Sequence, residues 1–113
     1  MAYQKTAKIL GDQTTYRLSD NVKKYALRDT GFIETKGGKF QLERSLDPAS
    51  PFKGFKLKVV VSADLKSFKL VTTTANGLKE VNIFNGKDAT ANVEQLNYIL
   101  EDLISRQILE KVQ

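Results

Sequence analysis

The 113 residues predict an α+β fold: two antiparallel β-sheets built from hairpins, packed against one long C-terminal helix, with one short N-terminal helix. Three observations carry that expectation. Apolar residues recur every second position at Phe55, Leu57, Val59 and Val61, then at Phe68, Leu70 and Thr72, the period at which strand side chains share a face. From Ala91 to about Lys111 the apolar period lengthens to that of a helix. Gly37-Gly38 and Asn76-Gly77 stand between apolar runs, where hairpins turn.

Taken in order, residues 6–10 and 14–18 read as short strands joined by Gly11-Asp12-Gln13. Ser19-Asp20 reads as a helix N-cap, because their side-chain oxygens can accept from unpaired backbone N–H groups. Val22, Tyr25 and Ala26 then give a short helix, and Gly31 ends it by reaching the left-handed conformation. Residues 32–35 and 40–46 flank the glycine pair. A two-residue turn there sets Thr35 opposite Phe40 and Ile33 opposite Leu42. Asp47-Pro48-Ala49-Ser50-Pro51 is the strongest breaker, too short for a domain linker.

Residues 55–61, 68–72 and 78–84 then form a three-stranded meander. A type I′ turn at Asn76-Gly77 sets Thr72 opposite Val81 and Leu70 opposite Ile83. Val60, Val71, Leu78 and Phe84 fall on the second face, which implies partial cover there, from the N-terminal sheet. Asp88 or Thr90 caps the last helix. Its stripe of Val93, Leu96, Ile99, Leu100, Leu103 and Ile104 spans an arc of about 140°. Tyr98 and Leu109 lie off that stripe, and Gln107 lies inside it, so the last turns are expected to leave the sheet.

Length and composition suit a single domain over residues 1–113, able to bury about 65% of its unfolded surface without disulfides or metal. There is no cysteine, and Met1-Ala2-Tyr3-Gln4-Lys5 lacks the apolar core of a signal peptide. The expectation is a soluble, cytoplasmic protein without a membrane partner. The net charge of +5 is uneven: residues 1–80 hold 15 Lys/Arg against 8 Asp/Glu, and residues 81–113 hold 3 against 5. The lysines are scattered singly among apolar residues, as on the solvated face of a strand.

Histidine is absent as well, so Ser-His-Asp and Cys-His nucleophile systems are excluded, together with the usual zinc sites. Glu101-Asp102 are helix neighbours about 100° apart and chelate poorly. No glycine pair belongs to a phosphate-binding motif. The sequence thus calls for no catalytic residue, metal or cofactor, and favours a non-catalytic role. An RNA-binding sheet needs aromatics among basic residues; here Phe84 with Lys56, Lys58 and Lys69 is a weak signal, and arginine occurs four times. Nucleic acid is therefore disfavoured. The most suggestive patch is Arg44 with Ser45, Asp47 and Ser50, a bidentate donor and three hydrogen-bonding groups where a strand meets a loop. The competing explanation is an Arg44–Asp47 pair that pins the loop. Tyr98 and Leu109 on the off-stripe helix face make a second candidate surface.

Three blocks, Tyr25-Ala26-Leu27-Arg28-Asp29-Thr30-Gly31-Phe32, residues 40–51 and residues 72–84, resemble a small domain-of-unknown-function family of lactic-acid bacteria. The resemblance covers most of the chain. It implies two sheets packed against a single long helix. It also implies a link to sulfur amino-acid metabolism, through neighbouring genes for cysteine desulfuration and tRNA thiolation. The implied fold is similar to that of prokaryotic S-adenosylmethionine decarboxylases, which cut their own chain at a Glu-Ser bond and use His and Cys nearby. The chain has no Glu-Ser dipeptide, no His and no Cys, so that activity is not carried over. The expectation is a bacterial accessory or binding protein, with a partner in cysteine/methionine metabolism or tRNA sulfur modification. The alternatives are a sensor for S-adenosylmethionine or an amino acid, in a pocket between the sheets, and an RNA-binding module.

Overall fold

The structure, a computed structural model, describes residues 3–47, 54–86 and 89–112. Pro48, Ala49, Ser50, Pro51 and Asp88, singled out above, lie outside them. Two antiparallel sheets and two helices are present, as expected. The smaller sheet is three-stranded, in the order β1 (Thr6–Lys8), β2 (Thr15–Leu18), β7 (Leu109–Val112). The larger runs β3 (Ile33–Glu34), β4 (Phe40–Ser45), β5 (Lys56–Val61), β6 (Phe68–Thr73). The sheets meet at β6, where Gln4 and Phe68 exchange backbone hydrogen bonds at 2.9 Å just ahead of β1. Helix α1 (Lys24–Thr30) joins β2 to β3, and α2 (Ala89–Ser105) precedes β7.

One core holds the parts together. Alternation puts Phe40 and Leu42 of β4, Leu57, Val59 and Val61 of β5, and Phe68 and Leu70 of β6 on a single buried face. Tyr16, Leu18 and Leu109 of the smaller sheet, Leu27 of α1, and Leu96, Ile99, Leu100 and Leu103 of α2 complete the cluster. The helical stripe expected from the sequence is the buried one.

Several expectations are corrected. The last helix stops at Ser105 instead of continuing to Lys111, and β7 follows as a strand beside β2. The stop is a Schellman motif: the N–H of Ile108 bonds the Leu103 carbonyl at 2.9 Å, that of Gln107 bonds Ile104 at 3.0 Å, and Gln107 takes φ +62°. Thr90 is inside α2 and does not cap it. At α1 the N-cap is Lys23, without a side-chain bond. Ser19 Oγ instead accepts from the N–H of Asn21, closing a turn before the helix. Gly31 ends α1 as expected, at φ +113°.

The β3–β4 register is shifted by one residue: Ile33 pairs with Gln41 and Glu34 with Phe40. The cause is a three-residue loop, in which Gly38 takes φ +86°, its N–H bonds the Thr35 carbonyl, and Thr35 pairs with Lys39. The slip turns Ile33 outward, 72% exposed. After β6, the expected Thr72–Val81 pairing is present, with bonds of 2.9 Å and 2.7 Å, but only a bridge forms and no third meander strand. Its turn is not type I′, because Gly77 has positive φ and Asn76 does not. The second face is covered in part, as expected: Phe84 packs against the core and Val60 is buried, whereas Leu78 is 86% exposed. No helix among the described residues is long and apolar enough to cross a membrane.

Candidate functional site

The structure disperses the residues singled out from the sequence. Strand β4 alternates, so Arg44 follows Phe40 and Leu42 onto one face while Ser45 takes the other. Arg44 Nη2 donates to the Thr30 carbonyl at 2.7 Å, placing its positive charge at the C-terminal end of α1. Ser45 Oγ donates to the Asp47 carbonyl and accepts from the Asp47 N–H, both at 3.1 Å, which fixes the chain leaving β4. Tyr98 stands on the solvent face of α2, 74% exposed, whereas Leu109 is wholly buried in β7. Leu109 was expected on a helix surface. It belongs instead to the core, because the helix ends four residues earlier.

A cleft of about 670 Å³ lies where the two sheets approach each other. Its walls come from β1 and β2, from the turn after β2, and from the loop joining β5 to β6. Leu18, Val22 and Leu65 supply apolar surface, and Lys5, Arg17, Asp20, Asp64 and Lys66 supply charge. Two of those charges are engaged. Arg17 is paired with Glu110 of β7 at 2.7 Å. Asp64 Oδ1 accepts from Ser62 Oγ at 2.5 Å and from the Lys66 N–H at 3.0 Å. The Ser62 hydroxyl, with the Lys66 N–H second, holds the exposed Asp64 carboxyl below the usual aspartate range. Among the described residues, Lys5, Lys66 and Asp20 are in no ion pair. The cleft therefore offers two open cations, one open anion and an apolar wall.

The loop at the mouth of this cleft has a twin in the molecule. In 62–67, the Ser62 hydroxyl and the Lys66 N–H both bond Asp64 Oδ1; in 74–79, the Thr74 hydroxyl and the Leu78 N–H both bond Asn76 Oδ1, at 2.6 and 3.0 Å. Each loop closes with an i→i+3 bond, Leu65 to Ser62 and Gly77 to Thr74, at 2.9 Å. The residue after the Asx then takes positive φ. In the second loop it is Gly77, at +76°, which carries no Cβ; in the first it is Leu65, at +60°, where a side chain is strained. Leu65 packs against the core, which offsets the strain and fixes the cleft wall. The shared pattern of hydroxyl, Ala, Asx, in Ser62-Ala63-Asp64 and Thr74-Ala75-Asn76, marks both loops as one design.

Tyr16 projects inward from β2, 3% exposed, opposite Lys111. Burial, with the carboxylates of Asp12 and Glu101 adding to it, pushes its hydroxyl up to about 12, so it stays protonated at neutral pH. Glu101 is itself paired with Lys111 at 3.1 Å, tying α2 to β7. No group of three or more acidic side chains among the described residues is arranged to hold a metal.

Residues 1–110 match a family of domains of unknown function, DUF1831, described as "Putative amino acid metabolism". The chain is also similar to a DUF1831 family protein from Lactobacillus plantarum known from its crystal structure, with 50% identity, a TM-score of 0.91 and 99% of each chain covered. No curated protein matches. Neither finding concerns an S-adenosylmethionine decarboxylase. With 110 residues under the family's pattern and half the residues shared with a member, the chain belongs to the DUF1831 family of domains of unknown function.

Proposed function

We propose that the protein is a small-molecule sensor of cysteine/methionine metabolism, which binds the α-amino-acid head of a free amino acid or of S-adenosylmethionine in the inter-sheet cleft. The observation that carries the reading is the coexistence, in one cleft of about 670 Å³, of unpaired Lys5 and Lys66, unpaired Asp20 and an apolar wall. Such a volume is in the range of small-molecule sites. An α-amino acid presents a carboxylate and an ammonium on adjacent atoms, with an apolar side chain beyond. Lysine ammonium groups answer the first, an aspartate the second, and Leu18, Val22 and Leu65 the third. The strained Leu65 adds support, because strain that a neighbouring loop avoids with glycine is retained where a side chain has work to do. An accessory role through Arg44 and Asp47 draws less support, since the Arg44 guanidinium is engaged at the end of α1.

Thermal unfolding against a panel of amino acids and S-adenosylmethionine tests the reading. A ligand at 100 times its Kd raises stability by about 2.7 kcal/mol. The expected result is a rise in Tm with one class of amino-acid head, lost in Lys66→Ala and Asp20→Asn variants that melt like wild type without ligand. A panel that leaves Tm unchanged, or a rise that both variants keep, contradicts it.

A further inference from the structure

Glycine follows asparagine twice, at Asn76-Gly77 and Asn85-Gly86, and the two pairs are held differently. At such a dipeptide the backbone nitrogen reaches the preceding side-chain amide readily, because glycine has no Cβ to obstruct the approach. The other four asparagines precede Val22, Ile83, Val93 and Tyr98, whose side chains do obstruct it. Both glycines stand in open space, at φ +76° and +102°, with nothing within 4 Å of where a Cβ would lie. Hydrogen bonding separates them. Asn76 Oδ1 accepts from the Thr74 hydroxyl at 2.6 Å and from the Leu78 N–H at 3.0 Å, and the Gly77 N–H donates to the Thr74 carbonyl at 2.9 Å. Nucleophile and electrophile are both tied down. Asn85 is exposed, and among the described residues neither its side chain nor the Gly86 N–H makes a hydrogen bond.

We infer that Asn85 is a site of spontaneous deamidation, and that the 74–79 loop protects Asn76 from the same reaction. The Gly86 nitrogen gives up its proton to solvent base and attacks the Asn85 Cγ; a C–N bond forms, the bond to the side-chain nitrogen breaks, and ammonia leaves. Water then opens the succinimide at either carbonyl, giving aspartate or isoaspartate. Either product carries a new carboxylate, which lowers the net charge from +5 to +4. Isoaspartate also adds one methylene to the backbone between the buried Ile83 and α2. For Asn76 to react, its loop must first open. One hydrogen bond is worth about fivefold in an equilibrium, so three that open together slow the reaction by on the order of a hundredfold. The twin loop holds Asp64 in the same bonds, so an aspartate fits there and the protection of Asn76 is kinetic. None of the residues lining the inter-sheet cleft takes part, and neither reading depends on the other.

Tryptic peptide mass spectrometry, after the whole protein has been incubated in mildly alkaline buffer, tests the inference. Trypsin releases residues 70–79 with Asn76 and residues 80–87 with Asn82 and Asn85, so the two Asn-Gly pairs are read separately. In the folded wild type the amide-to-acid conversion is expected to run roughly tenfold or more faster at Asn85 than at Asn76, with isoaspartate among the products. In urea the two rates are expected to converge, since glycine follows both. Thr74→Val removes one bond from Asn76 Oδ1 and is expected to speed conversion at Asn76 by about fivefold while leaving Asn85 unchanged. The wild-type comparison stands without that variant. Equal rates in the folded protein, faster conversion at Asn76, or an Asn85 that converts only after unfolding overturns the inference; a folded Thr74→Val variant whose Asn76 converts at the wild-type rate overturns the protection.

Discussion

At Gly11 a side chain has nowhere to go. The residue takes φ +88°, and a Cβ there would strike the side-chain amide of Asn82, whose Oδ1 is held by the N–H of Phe84 at 2.9 Å. Gly11→Ala combines that collision with a left-handed backbone, and a loss of about 2 kcal/mol is expected, read as a lower urea midpoint. Tyr16 sets the alkaline limit. Its hydroxyl titrates near 12 in the folded protein and near 10 when unfolded. Between those values only the unfolded chain gives up the proton, so the stabilisation is complete below pH 10 and fades as pH rises towards 12. Two pH units of difference correspond to about 3 kcal/mol at most. Urea melts at pH 9 and pH 11 should show a steep fall for wild type and a shallower one for Tyr16→Phe; parallel losses would assign the alkaline limit to other groups.

Among the elements, helix ends and turns separate what the sequence discloses from what it conceals. Period-two and helical patterning locate β5, β6 and the buried stripe of α2, because a buried face imposes its spacing directly on residues such as Leu57, Leu70 and Leu96. The end of α2 is harder to read. Gly31 announces the Schellman motif of α1, whereas the same motif closes α2 on Gln107, a residue with no turn preference. The visible trace is a break in phase: Gln107 falls within the apolar stripe and Leu109 outside it. The Gly37-Gly38 pair misleads in another way, since only Gly38 takes the left-handed conformation and the longer loop reverses which side Ile33 faces. Gln107→Gly is expected to stabilise by about 0.5–1 kcal/mol, the relieved strain exceeding the added entropy of the unfolded chain. A lower urea midpoint for that variant would deny the strain. The candidate cleft was the least legible part, because Lys5, Asp20 and Lys66 are distant in sequence and come together only when the two sheets meet.

Across the whole molecule, β7 links the features. It gives β2 its second partner, buries Leu109, receives Arg17 through Glu110, and reaches α2 through Lys111. Removing residues 106–113 exposes the places of Ile108 and Leu109, both fully buried, at a cost of about 3–6 kcal/mol. That is a large share of the roughly 5–15 kcal/mol that holds a typical domain, and the truncated chain is expected to unfold at a markedly lower urea midpoint. The same organisation explains why a cleft forms: two small sheets joined at β6 cannot close against each other at the far side, where β2 faces the 62–67 loop. Nuclear magnetic resonance mapping with methionine, cysteine and S-adenosylmethionine tests this account most directly. Amide shifts confined to Lys5, Arg17, Asp20, Leu65 and Lys66 and their neighbours are the predicted result; a spectrum unmoved by all three, or shifts that spare the cleft, would contradict it.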